Sequence, residues 1–199
     1  MRGRPYDQRL SWAPELVVRV KGGEVRMNQQ GNRNAWKGLV AGVVGGVVAS
    51  WAMDRFQYWW LSFDGGDERQ LQQTQSDEGN QEEPATVKTA AAISEGVFGH
   101  SLTAREKEIA GPIVHYAVGT TAGAVYGVAA EYEPNVTTLA GFPFGAAFWM
   151  VVDEGSLPLL GLTKGPTAYP ISTHAYALAA HLVFGLTAEV VRRTVRRAL

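Results

Sequence analysis

The chain has 199 residues, with 18 basic and 19 acidic side chains, 23 glycines, 6 tryptophans and no cysteine. This length suits one domain or a small membrane bundle. The near-zero charge argues against a nucleic-acid binder, and the lack of cysteine excludes disulfides, thiolate metal sites and cysteine nucleophiles.

The mean hydropathy of −0.09 conceals two populations. Charge gathers in residues 1–37, 61–110 and the C-terminal tail, and the remainder is rich in Gly, Ala and Val. In chain order, residues 1–35 form a basic N-terminal segment. Met27 offers an alternative start, in which case residues 1–26 are an extension and the apolar residues 16–20 are no element of the fold. The first apolar block, residues 38–53, is bracketed by Trp36 and by Tyr58, Trp59 and Trp60. As a helix, residues 36–60 extend about 37 Å, enough to cross a bilayer, with an aromatic belt at both ends. A cleaved signal peptide is the competing reading. The tryptophans, the late start and Asp54-Arg55 in place of small cleavage-site residues count against it.

Residues 64–84 are acidic, Gln-rich and without apolar period, and read as disordered. Residues 86–98 suit a short amphipathic surface helix. Thr103 and Glu106 form a capping box that opens the second span, with Pro112 early in that helix. Further spans are expected at about 110–131, 136–154 and 173–192, with Pro143 kinking the third. The apolar half of the 155–171 connection is expected to fold back against the bundle. The fold class is therefore all-α, a bundle of four transmembrane helices over residues 36–197, with residues 61–100 as an acidic external loop. Lys and Arg cluster before the first span and after the last, as Arg192, Arg193, Arg196 and Arg197. With an even number of spans, the positive-inside bias puts both termini in the cytoplasm.

A four-residue spacing recurs in the spans: Gly38, Gly42, Gly46, Ser50, Asp54; then His115, Gly119, Gly123, Gly127, Glu131; then Gly141, Gly145, Trp149, Asp153; then Ala177, His181, Gly185, Glu189. Residues at i+4 share a helix face, and small ones there let backbones approach closely. Asp54, His115, Asp153, Glu154 and His174 fall near the external ends of their helices, with His181 about 10 Å deeper than His174. Ionisable groups in lipid face the bundle interior and seek partners. Three readings stay open for this set: structural pairing, a proton- or ion-responsive cluster, and a divalent metal on His115, His174, His181 and Asp153. No Glu-x-x-His pair supports the metal, and no cofactor is expected. Glu189 is expected to pair with Arg192 or Arg193 as a structural ion pair. Nucleophile elbows, phosphate loops, dinucleotide fingerprints and zinc-protease motifs are absent from the sequence, so an enzyme is not expected. The glycosylation triplet at Asn135 falls in a short cytoplasmic turn and carries no weight.

Residues 115–131, 141–162 and 174–193 carry a His-led second span, Pro158 with Leu160-Gly161-Leu162, Ala180-His181, and Glu189 with Arg192-Arg193. In these the chain resembles the YagU-like family of bacterial inner-membrane proteins. The resemblance covers most of residues 36–197, is weakest over 61–100 and stops before Met27. It implies an integral cytoplasmic-membrane protein without established biochemical activity, in a family not known for enzymes. Two functions follow as expectations: a small proton- or ion-responsive membrane protein, or a non-catalytic accessory or scaffold subunit docking other membrane helices or its own copies.

Overall fold

A computed structural model describes residues 17–20, 23–26, 33–63 and 83–199. The expected disorder at 64–82 and most of the basic N-terminal segment lie outside the described residues. The chain divides into two compact units, Met1–Arg33 and Asn34–Leu199. In the first, β1 (Val17–Val20) pairs antiparallel with β2 (Gly23–Arg26), Val17 opposite Arg26 and Val20 opposite Gly23. Residues 16–20, expected to be no element of the fold if the chain starts at Met27, thus carry β1. Val17, Val18 and Val20 supply the β-branched composition that favours a strand.

The second unit is helical throughout its regular elements. Its helices are α1 (Ala35–Phe63), α2 (Ala85–Ile93), α3 (Ala104–Tyr132), α4 (Phe142–Val151) and α5 (Ile171–Ala198). Four helical stretches are long and apolar enough to cross a membrane: Ala35–Trp60, Ala104–Tyr132, Pro134–Leu159 and Ile171–Ala198. This is the build of a multi-pass membrane protein.

Local chemistry sets the helix ends. Asn34 Oδ1 accepts from the N–H groups of Trp36 at 3.1 Å and Lys37 at 3.2 Å, capping α1. The capping box of α3 forms as expected, with Thr103 N–H donating to Glu106 Oε2 at 2.7 Å and Glu106 N–H to Thr103 Oγ1 at 3.4 Å. α2 runs into a π-helical turn, Ser94–Phe98, and stops at Gly99, whose φ of 63° suits a residue without Cβ.

The third span differs from expectation at both ends. A 3₁₀ stretch, Pro134–Gly141, breaks where Leu139 (φ 49°), Ala140 (φ 54°) and Gly141 (φ 86°) enter the left-handed region. α4 restarts at Phe142, so Pro143 lies in its first turn, where its missing N–H has no helical partner to lose. Pro143 therefore does not kink the span. Beyond Val151 the helix continues through a π-helical turn, Val152–Ser156, into Leu157–Leu159. The apolar half of the connection does not fold back as a unit. Leu159 is 88% exposed, whereas Leu157, Leu160 and Leu162 line a cavity.

The strain at Ala140 is testable. The left-handed region costs an L-residue about 1–2 kcal/mol, and glycine's extra unfolded-state freedom returns roughly half of that. Ala140→Gly is expected to raise the thermal midpoint in detergent slightly, by about 0.5 kcal/mol. A lowered midpoint would contradict the backbone conformation described.

α1 packs against both α3 and α5, α4 lies along α5, and α2 rests on α3. A core joins Ala49 and Met53 of α1 to Ala180, Phe184 and Ala188 of α5, with Phe56, Phe144 and Phe148 against it. Tyr126 of α3 stacks on Phe144 at 4.1 Å between ring centroids. Large apolar side chains along the spans, such as Val47, Trp51, Ile113, Val125 and Val190, are exposed. Such surface suits a lipid neighbour rather than water. Asn34 N–H and Arg196 both donate to Glu131, so the start of α1, the end of α3 and the end of α5 meet at one basic end of the bundle.

Candidate functional site

At the opposite end, three imidazoles each meet a carboxylate from another segment. His115 of α3 places Nε2 3.1 Å from Asp54 Oδ1 of α1, without the alignment of a hydrogen bond. Tyr116 Oη donates to the other Asp54 oxygen at 2.9 Å. His174 of α5 places Nδ1 2.6 Å from Glu154 Oε1, on the π-helical turn after α4, and its Nε2 donates to the Pro166 carbonyl at 2.9 Å. His181 Nδ1 donates to the Ala177 carbonyl at 2.9 Å and stands 3.7 Å from Asp153 Oδ2.

The π-helical turn matters here. It interrupts the α-helical register so that consecutive residues, Asp153 and Glu154, address two histidines a full seven positions apart on α5.

These groups do not form one cluster. His115, Asp153, Glu154, His174 and His181 line a cavity of about 400 Å³. Asp54 lies outside it, on a lateral groove with Glu83, Lys107, Glu108 and Tyr116. His115 borders both. The cavity has mostly apolar walls, including Met53, Val118, Phe148 and Phe184. Three buried polar atoms on its wall have no hydrogen-bond partner: Ser50 Oγ, His115 Nε2 and Thr163 Oγ1. Among the described residues, no three His, Asp or Glu side chains converge closely enough to hold a metal ion. Each of the imidazoles of His115, His174 and His181 is drawn to a different carboxylate or carbonyl.

Sequence reasoning passed over several participants. Tyr116 follows His115 by one position, about 100° round the helix, yet reaches the same carboxylate from the other side. Thr163 and the Pro166 carbonyl come from the loop before α5, where no periodicity marks them. Trp149, singled out only as a ladder member, sets its ring edge-on to His174 at 6.5 Å between centroids.

The glycine ladders face one another within the chain. Gly38, Gly42 and Gly46 of α1 lie against Gly127, Gly123 and Gly119 of α3, with Ser50 over Gly119. Gly141 and Gly145 lie against the backbone of α5 at Gly185 and His181. The strips are thus occupied by the chain's own helices rather than left open for others. At the basic end, Glu189 takes both expected arginines. Arg192 donates through Nε at 2.7 Å and Nη2 at 2.9 Å, and Arg193 donates through Nε. Tyr126 Oη adds a bond at 2.9 Å, which the sequence did not announce.

Comparison with known proteins gives one match. The family described as protein of unknown function, DUF1440, matches residues 79–190. This stretch runs from α2 to most of α5 and contains every cavity histidine. No curated protein and no solved structure matches the chain.

Proposed function

The chain belongs to the DUF1440 family, a family of unknown function, and from that premise we propose a proton-responsive protein of the bacterial inner membrane. The YagU-like resemblance supports the bacterial membrane. The gathering of Arg192, Arg193, Arg196 and Arg197 at the end where α1 begins supports cytoplasmic termini, by the positive-inside bias. The histidine end then faces outward.

One observation carries the proton reading: at that end, three contacts between segments join an imidazole to a carboxylate. Imidazole is the side chain whose charge ordinarily changes between pH 5 and 8. At His174 the logic is tight. The Pro166 carbonyl can only accept, so Nε2 carries a proton. Nδ1 at 2.6 Å from a carboxylate oxygen therefore needs a second proton between them. With that proton the contact is an ion pair tying α5 to the turn after α4. Without it, a ring lone pair faces a carboxylate and the contact opens. The tie is therefore present below the titration of the imidazole and is lost as pH rises through it.

Trp149 reports this event, since a protonated imidazole beside an indole quenches its fluorescence. In detergent or nanodiscs, emission is expected to fall as pH drops through the titration of His174. The step is expected to vanish in both His174→Gln and Trp149→Phe. A step of full amplitude in His174→Gln would overturn the assignment.

A further inference from the structure

The proton reading leaves the cavity itself unexplained. Its volume of about 400 Å³ lies in the range of small-molecule sites, which are mostly apolar with a few converging polar groups. Asp153 stands on its wall. Among the described residues it accepts no hydrogen bond. The nearest imidazole nitrogen, His181 Nδ1, is 3.7 Å away and spends its proton on Ala177. The other charged groups facing it are His115 from α3 and Glu154 on its own turn. Lys164 also lines the cavity, from the exposed loop before α5. Glu154 is already engaged by His174. The Asp153 side chain is 30% exposed and has no hydrogen-bond donor, so its carboxylate is open to a ligand in the cavity.

A second, independent observation points the same way. Ser50 is fully buried on the cavity wall, and its hydroxyl has no partner; Thr163 adds another. Orphaned buried polar atoms are rare in folded proteins and mark a site for something that bonds them. The ring of Phe148, on the same wall and partly exposed, is suited to hold an organic cation.

We propose that this cavity binds a small hydrophobic organic cation, its charged nitrogen at Asp153 and its apolar body against Phe148. An anion would meet the Asp153 carboxylate, and a bare metal ion would lack a third ligand. The assignment goes beyond the proton reading, which rests on His174 rather than on Asp153.

The test is titration calorimetry of the full chain in detergent at pH 8 with phenethylammonium. Phenylacetate serves as the matched anion and benzyl alcohol as the neutral analogue. The wild-type protein is expected to bind the cation saturably, with affinity at least roughly tenfold above either analogue. Asp153→Asn is expected to lose that margin, whereas Glu95→Gln, at an exposed turn, keeps it. Equal binding of the three probes by the wild-type protein, or undiminished cation binding by Asp153→Asn, overturns the proposal. The first comparison needs no variant and stands even where Asp153→Asn fails to fold. Cation binding without a Trp149 pH step refutes the proton reading and keeps the cavity assignment; a Trp149 step without cation binding does the reverse.

Discussion

Replacing Glu189 by leucine is expected to cost the protein about 3–5 kcal/mol of stability, among the largest effects available to a single side chain here. Glu189 is fully buried and receives four donors: two from Arg192, one from Arg193 and one from Tyr126. Leucine fills much of the same volume but leaves Arg192, only 7% exposed, as a buried charge without its carboxylate. The cost comes from that stranded charge rather than from the lost attraction. A double variant, Glu189→Leu with Arg192→Met, is accordingly expected to recover a substantial part of the loss. The exposed Glu83–Lys107 pair, at 2.6 Å, is the contrast: Lys107→Ala is expected to cost less than about 1 kcal/mol. Unfolding in mixed micelles with increasing denaturing detergent ranks the variants. Equal midpoints for Glu189→Leu and Lys107→Ala would refute the burial argument.

Glu189 also shows what a sequence makes legible. Its arginines are three and four residues on, so helical geometry alone pairs them. The Thr103–Glu106 cap and the facing ladders are legible for the same reason: partners sit at fixed local offsets, or both helices carry the same small-residue stripe. The four apolar stretches are legible because a bilayer demands length and composition. Choices made across space are not. Which acid each histidine meets depends on how far α5 is rotated against α4, and a π-helical turn that no residue announces sets that rotation. Sequence reasoning placed Asp54 with the cavity group; a small difference in facing puts it on the lateral groove instead. Pro143 was misjudged because the left-handed residues before it include Leu139 and Ala140, types that seldom adopt that conformation. Gly45 was missed for a related reason. It lies one position off the ladder and faces α5 at Ala188 rather than α3, so α1 needs two small faces, of which periodicity displays one.

The second large effect is expected at Gly123. A Cβ built there would stand 2.5 Å from the Gly42 carbonyl oxygen, 2.6 Å from Gly46 Cα and 2.8 Å from Gly46 N. All three are backbone atoms, so no rotamer change on α1 makes room, and only separation of α1 from α3 does. Overpacking a closed core costs about 1–3 kcal/mol when side chains can yield. Here they cannot, so Gly123→Ala is expected to cost about 3 kcal/mol and Gly123→Leu to prevent the pairing of α1 with α3. The effect is severe because helices in lipid associate through close packing, without the hydrophobic drive that holds them together in water. Compensation from the facing helix is closed off as well, since Gly42 and Gly46 are already the smallest residues available. Gly165 gives the baseline: a Cβ there meets nothing within 4 Å, and Gly165→Ala is expected to shift the midpoint by less than about 0.5 kcal/mol. A cysteine pair introduced at exposed positions of α1 and α3 would read the separation directly, through cross-linking that is efficient in wild-type background and lost with Gly123→Leu. Persistence of the cross-link at wild-type yield would mean that the two helices are not held together along their glycine faces.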